Sequence, residues 1–219
     1  MAIARVVIVG AGGFGREALD VLRAMDSQGE SLEFVGFVAD VEPDADLLSR
    51  IDARWLGGDE AFLAAPSATH YVLGIGAPAV RRRLVERFDA AGLSPITLIH
   101  PTAVIGHDAQ LGEGTVMCGH SSVTTNIRIG RHVHLDRMTT IGHDSVIDDF
   151  VTVHPGAVVS GSVTIHSGTR LGTTSCVLPG VTIGHDVMIG AGAVVTKDVP
   201  DGLTMIGVPA RSLNSGAKA

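Results

Sequence analysis

From Ile99 to Val195 every sixth residue is aliphatic or Met: Ile99, Ile105, Leu111, Met117, Val123, Ile129, Leu135, Ile141, Ile147, Val153, Val159, Ile165, Leu171, Val177, Ile183, Ile189 and Val195. These seventeen positions keep register without a slip. Four residues after each comes a second column of small or β-branched residues, running from Ala103 and Ala109 through Ser145, Val151 and Ala157 to Ala193 and Val199. Neither the helical period of 3.6 nor simple alternation produces a repeat of six. The pattern predicts an all-β parallel β-helix of hexapeptide repeats, in which each hexad supplies a short strand and a corner. Three hexads complete one triangular coil, so residues 18 apart stack in columns. The aliphatic column fills the prism, the small column packs at the corners, and burial of both holds the coils together. Phe150 is the one aromatic residue from 99 to 199, as a narrow prism requires.

The first ninety-odd residues carry a different pattern. Arg5–Val9 reads as a buried strand that runs into Gly10-Ala11-Gly12-Gly13-Phe14-Gly15. A helix follows, with Ala18, Val21, Leu22 and Met25 on one face. Further strands are expected at Glu33–Val38, His70–Ile75 and Ile96–Ile99, and a helix at Ala79–Ala91 with Arg81, Arg82 and Arg83 on its outer face. Strands alternating with helices predict a small α/β, Rossmann-like parallel sheet. The expected division is residues 1–97 for this domain and residues 98–219 for the β-helix with a C-terminal capping tail.

Charge and cysteine usage narrow the function. With 16 basic against 23 acidic residues the formal net charge is -7, which leaves no basic footprint for nucleic acid. Cys118 and Cys176 fall in different repeats and suit a reducing compartment. The opening residues are too soon followed by glycines for a secretory signal, and no apolar run reaches membrane-spanning length. A cytoplasmic protein with no membrane partner is expected.

Two places carry candidate chemistry. The first is the glycine turn, where G-x-G-x-x-G lies between a strand and a helix and so could present free N–H groups to a phosphate. Asp40 lies 25 residues beyond Gly15, later than the usual ribose-binding acid. A mononucleotide or a nucleotide-sugar diphosphate therefore fits better than NAD. The second is His143, whose 18-residue column places Gly161 on the next coil and Pro179 beyond. A base beside a glycine N–H suits acyl transfer, one group taking a proton and the other steadying an oxyanion. Asp144 adjoins His143 and could orient it, with Asp148 as the weaker alternative partner. The rival use of the histidines is zinc, because His107 and His143 share a column. The γ-class carbonic anhydrases, also hexapeptide β-helices, put a third histidine where this chain has Asp148, so that ligand set is incomplete. No metal is expected.

The Gly-Phe-Gly-Arg-Glu turn and the strand Phe34-Val35-Gly36-Phe37 ending at Asp40 match a known family. So do Ile141-Gly142-His143-Asp144, His154-Pro155-Gly156-Ala157, Ser175-Cys176-Val177-Leu178-Pro179 and Gly207-Val208-Pro209-Ala210-Arg211. Over essentially its whole length the chain resembles bacterial nucleotide-sugar acetyltransferases of the sialic acid O-acetyltransferase family, which includes bacillosamine and perosamine N-acetyltransferases. The resemblance implies a left-handed β-helix, a homotrimer, and acetyl-CoA as co-substrate lying between neighbouring prisms. It implies His143 as general base assisted by Asp144, with the Gly161 N–H on the thioester oxygen. Thr173 and Ala191 would hold the pantetheine, and Pro209 would lie near the adenine end. Gly10, Gly12, Gly13, Phe14, Gly15, Gly76 and Asp40 would hold the nucleotide sugar.

Two positions depart from the family pattern. Thr152 stands where members carry a second histidine that contacts the acetyl group, with His154 two residues on. Asp136 stands where members acting on amino sugars often carry Asn, and an anion there could attract an ammonium substrate. The reading reached is N-acetylation of a nucleotide-linked amino sugar. The alternatives are O-acetylation of a sialic acid or another sugar, and a non-catalytic nucleotide-binding scaffold.

Overall fold

The structure, a computed structural model, describes residues 3–213. The last residues of the expected capping tail, 214–219, lie outside it. Contacts divide the chain into two units, Met1–Pro101 and Thr102–Ala219.

The first unit is built on four parallel strands, β1 (Ala4–Val9), β2 (Leu32–Val38), β3 (His70–Leu73) and β4 (Ser94–Pro95), in the order β2-β1-β3-β4. The central strand β1 buries Val6, Val7, Ile8 and Val9 because it has a neighbour on both edges and packed faces. Helix α1 (Gly13–Asp26) presents Ala18, Leu19, Val21 and Leu22 to the core. Two short helices not anticipated from the sequence, α2 (Ala45–Arg50) and α3 (Asp59–Ala64), fill the stretch between β2 and β3. Six residues are too few to show a helical period.

Helix α4 (Pro78–Ala90) corrects one expectation. Arg81 is not on its outer face but fully buried, in line with Leu84, Val85 and Phe88 at i+3, i+4 and i+7. Its guanidinium donates to the carbonyls of Ile75 (2.9 Å) and Gly76 (3.0 Å), fixing the turn after β3. Buried carbonyls at a strand end need donors, and a long cation supplies two at once.

The second unit is a parallel β-solenoid with three faces. One face stacks Ala109–Leu111, Ile127–Ile129, Val146–Ile147, Thr164–Ile165 and Thr182–Ile183. Another stacks Val104–Ile105, Ser122–Val123, Thr140–Ile141, Val158–Val159, Cys176–Val177 and Val194–Val195. The third includes Val116–Met117, His134–Leu135, Thr152–Val153, Arg170–Leu171 and Met188–Ile189, and closes with Thr204–Ile206 against the antiparallel Arg211–Ser212. Pairing runs 18 residues on through the coils, as in Thr140 to Val158 and Val158 to Cys176, and shortens to 16 at the last, where Met188 pairs with Thr204.

From Met117 onward the aliphatic column is buried throughout, whereas Ile105, in the first coil, is 41% exposed. Each enclosed aliphatic side chain contributes about 1.5–3 kcal/mol. The corner column is buried as well, and the hydroxyls of Ser121, Thr139, Ser145 and Thr169 are satisfied by nearby backbone. Thr169 Oγ1, for example, donates to the Gly184 carbonyl (2.7 Å) and accepts from the Val187 N–H (3.0 Å).

A third register runs through the corners. Every sixth residue from Asp108 to Gly192 has positive φ. The residues there include Asn126, Asp144, Gly156, Gly168, Gly180 and Asp186, the types that tolerate a left-handed backbone at least cost.

Candidate active site

His143 and Asp144 form one corner turn after the strand Thr140–Ile141. Asp144 takes the left-handed conformation (φ 59°), and its Oδ2 lies 2.7 Å from His143 Nδ1. An ionised carboxylate only accepts, so the proton sits on Nδ1 and the Nε2 lone pair is left as the base. Asp148, the alternative partner, is instead paired with His166 Nδ1 at 2.8 Å. His107 is exposed and serves its neighbours through its backbone carbonyl.

On the next coil Gly161 lies directly beneath the imidazole. A β-carbon on Gly161 would sit 2.5 Å from His143 Cε1 and Nε2, so any larger residue would push the ring out of this position. Its N–H meets no acceptor among the described residues. Base and free amide therefore share one small patch, the pairing that acyl transfer needs.

Asn126, which sequence reasoning missed, completes the cluster. It stands one coil earlier than Asp144 and donates from Nδ2 to Asp144 Oδ1 at 2.7 Å. This hydrogen bond, and then that with His143, hold the Asp144 carboxyl below its ordinary value of 3.8. The signal was available: the 18-residue step that links His143 to Gly161 also links Asp144 to Asn126.

The other expected residues lie elsewhere. Asp136 follows the strand His134–Leu135 and so occupies a different corner from His143. It is 4% exposed, with Oδ2 3.2 Å from His154 Nδ1, a second carboxylate–imidazole pair. Thr152 is buried in its strand and its N–H is taken by the Thr169 carbonyl. Thr173 and Ala191 are exposed and stack at the same corner as Asp136 and His154. Pro209 follows a cis peptide in the Gly207–Arg211 turn, which is tied to Val194 through Gly207 O (3.0 Å) and the Ala210 N–H (2.7 Å).

In the first unit the glycine turn divides into two kinds of position. A β-carbon on Gly15 would meet the Gly10 carbonyl at 1.9 Å, and one on Gly10 would meet Ile75 at 2.7 Å, so both serve packing. Gly12 and Gly13 face open space at the N-terminus of α1, whose N-cap has no side-chain hydrogen bond. The first N–H groups of a helix have no intrahelical acceptor and suit an anion. Phe14 opens α1 half-buried, and Gly76 likewise faces open space on the turn that Arg81 holds. Asp40 Oδ1 accepts from the Asp59 N–H (3.0 Å), while Asp59 pairs with Arg87. A cavity of about 200 Å³ adjoins this end of the sheet, lined among others by Gly10, Val38, Asp40, Ile75 and Arg83.

Comparison with known proteins joins the two units. Residues 5–88 match the PglD N-terminal domain, and residues 162–197 match the bacterial transferase hexapeptide (six repeats). The GDP-perosamine N-acetyltransferase of Escherichia coli O157:H7 is 34% identical over 140 residues, 63% of this chain and 61% of that protein's length. PerB from Caulobacter crescentus, solved in complex with CoA and GDP-perosamine, is 31% identical with a TM-score of 0.84, over 96% of this chain and 98% of that one. The acetyltransferase domain of PglB from Neisseria gonorrhoeae, in complex with acetyl coenzyme A, is 28% identical with a TM-score of 0.87, over 97% and 100%. Likeness of this extent, running through both the α/β unit and the β-solenoid, places the chain in the hexapeptide-repeat family of nucleotide-sugar acetyltransferases that carry a PglD-type N-terminal domain.

Proposed function

We propose that the chain transfers the acetyl group of acetyl-CoA to the amino group of a nucleotide-linked sugar, with His143 as general base. The observation that carries this reading is the His143 imidazole, bound through Nδ1 to Asp144 and lying over Gly161. The sugar amine attacks the thioester carbonyl, and Nε2 of His143 takes the proton the nitrogen must lose. The Gly161 N–H donates to the carbonyl oxygen as negative charge develops there. Asp144 stabilises the resulting imidazolium. Collapse restores the carbonyl and expels the CoA thiolate, which recovers the proton from His143. No enzyme thiol is needed, and Cys118 is buried.

A homotrimer supports the same chemistry. His143 and Gly161 lie at one corner of the prism, Thr173 and Ala191 at the next. A hexad of extended chain spans roughly 20 Å, so one chain does not bring base and pantetheine site together. Neighbouring prisms around a threefold axis would set one chain's His143 against another's Thr173 corner. That contact would also cover the dyad, whose side chains are 62% and 50% exposed in the single chain. Open Gly12 and Gly13 support binding of the diphosphate at the glycine turn, with Phe14, Asp40 and Gly76 beside it. Two cysteines outside any disulfide fit the cytoplasm, and no described helix is long and apolar enough to cross a membrane.

The test is release of free thiol from acetyl-CoA in the presence of GDP- and UDP-linked amino sugars. Thiol release with an amino sugar, and none with its hydroxyl counterpart, is expected. Release with hydroxyl acceptors alone would establish O-acetylation instead, and no release with any acceptor would favour a binding scaffold.

A further inference from the structure

We infer that Asn126 is a positioning residue of the His143–Asp144 dyad, acting across coils on the carboxylate rather than on the substrate. The inference rests on His143 serving as the base and extends that reading to a residue outside the reacting atoms.

Asp144 has two carboxylate oxygens and a donor on each. Oδ2 receives His143 Nδ1–H and Oδ1 receives Asn126 Nδ2–H, both at 2.7 Å. The donors stand on successive coils, so the carboxylate cannot rotate about its Cβ–Cγ bond without losing one of them. Without Asn126 a half-exposed aspartate would rotate about its Cβ–Cγ bond with water on its open oxygen, and the imidazole would lose its fixed plane.

Asn126 is itself fixed from below. Its backbone N–H donates to the His107 carbonyl (3.1 Å), and the neighbouring Thr125 hydroxyl donates to the same carbonyl (2.9 Å). Its φ of 55° belongs to the left-handed corner register, where Asn is among the few side chains tolerated. The amide nitrogen must point at Asp144, because a carboxylate offers acceptors only. The corresponding residue one coil earlier, Asp108, pairs instead with Arg128, its Oδ2 3.4 Å from the guanidinium. A shared corner thus becomes a ladder in which each coil orients the next, and its top rung holds the base.

A double-mutant cycle on the full-length protein tests this. Asn126→Gly deletes the amide while keeping a residue at ease with positive φ, and Asn126→Asp keeps the shape but turns donor into acceptor. Each should lower kcat about 10-fold with KM for acetyl-CoA nearly unchanged, the low end of what partners orienting a functional imidazole cost. In an Asp144→Asn background Asn126→Gly should cost less than about twofold, because its target is already lost. Losses that multiply in the double variant would overturn the proposal, and so would a single-variant kcat within about twofold of wild type. If Asn126→Gly does not fold, Asn126→Asp carries the cycle alone. A His143→Ala variant that stays active would instead refute the base assignment, a separate outcome.

Discussion

Gly161 and His143 are 18 residues apart and in closer contact than any side chain at 161 would permit, since a β-carbon there would meet the imidazole at 2.5 Å. Gly161→Ala should therefore displace the ring from Asp144 and crowd the amide meant for the oxyanion. The ring is exposed and can swing outward, so the solenoid should survive. Kinetics should show kcat reduced by at least about 10²-fold, with the thermal transition little changed. A large loss of stability instead would make Gly161 a packing residue.

The glycine turn allows a paired test. Gly13 faces open space, so Gly13→Asp should fold normally yet repel a diphosphate, raising KM for the nucleotide sugar and sparing that for acetyl-CoA. Gly15→Ala should behave in the opposite manner. Its β-carbon collides with the Gly10 backbone at 1.9 Å, and the cost should be about 1–3 kcal/mol or more in denaturant unfolding. Equal loss of both KM values in Gly13→Asp would mean that the turn only shapes the domain.

Asp144 sets a pH dependence with a definite sign. Its carboxyl is held below 3.8 by Asn126 first and His143 second. A carboxyl depressed on folding stabilises the native state above its unfolded value, and that contribution disappears as pH falls through the folded value. The stability difference between wild type and Asp144→Asn should thus be constant from about pH 5 upward and shrink only below the ordinary carboxylate range. Unfolding curves at a series of pH values would show it. A difference that fades between about pH 5 and 8 would assign the effect to another group.

The sequence carried most of this architecture, for reasons visible in particular residues. The hexad shows because the column from Met117 to Val195 has no alternative to the interior, and one polar residue there would have broken it. The left-handed register was equally present in Asn126, Asp144, Gly168 and Asp186, but it is a pattern of conformational tolerance and not of hydrophobicity, so periodicity alone passes over it. The charge of Arg81 points to solvent, whereas its helical phase with Leu84, Val85 and Phe88 points to the core, and the phase prevails. Asp136 looked like an available anion, yet it is buried against His154, a contact that stepping by 18 would also have disclosed.

Assembly follows from the division of the site between corners. Light scattering at micromolar concentration should give three times the chain mass of 22.6 kDa. A monomer with full activity would contradict a site shared between prisms.

The central claim is that His143 is the base. Its replacement should leave the prism intact, because the inward residue of that strand is Ile141 and His143 lies beyond it on an exposed corner. His143→Ala should lower kcat about 10²–10⁴-fold at saturating acetyl-CoA, with the oligomer and its thermal transition preserved. His107→Ala, two coils away in the same column, should be nearly silent. Wild-type kcat in an intact His143→Ala oligomer would contradict the account.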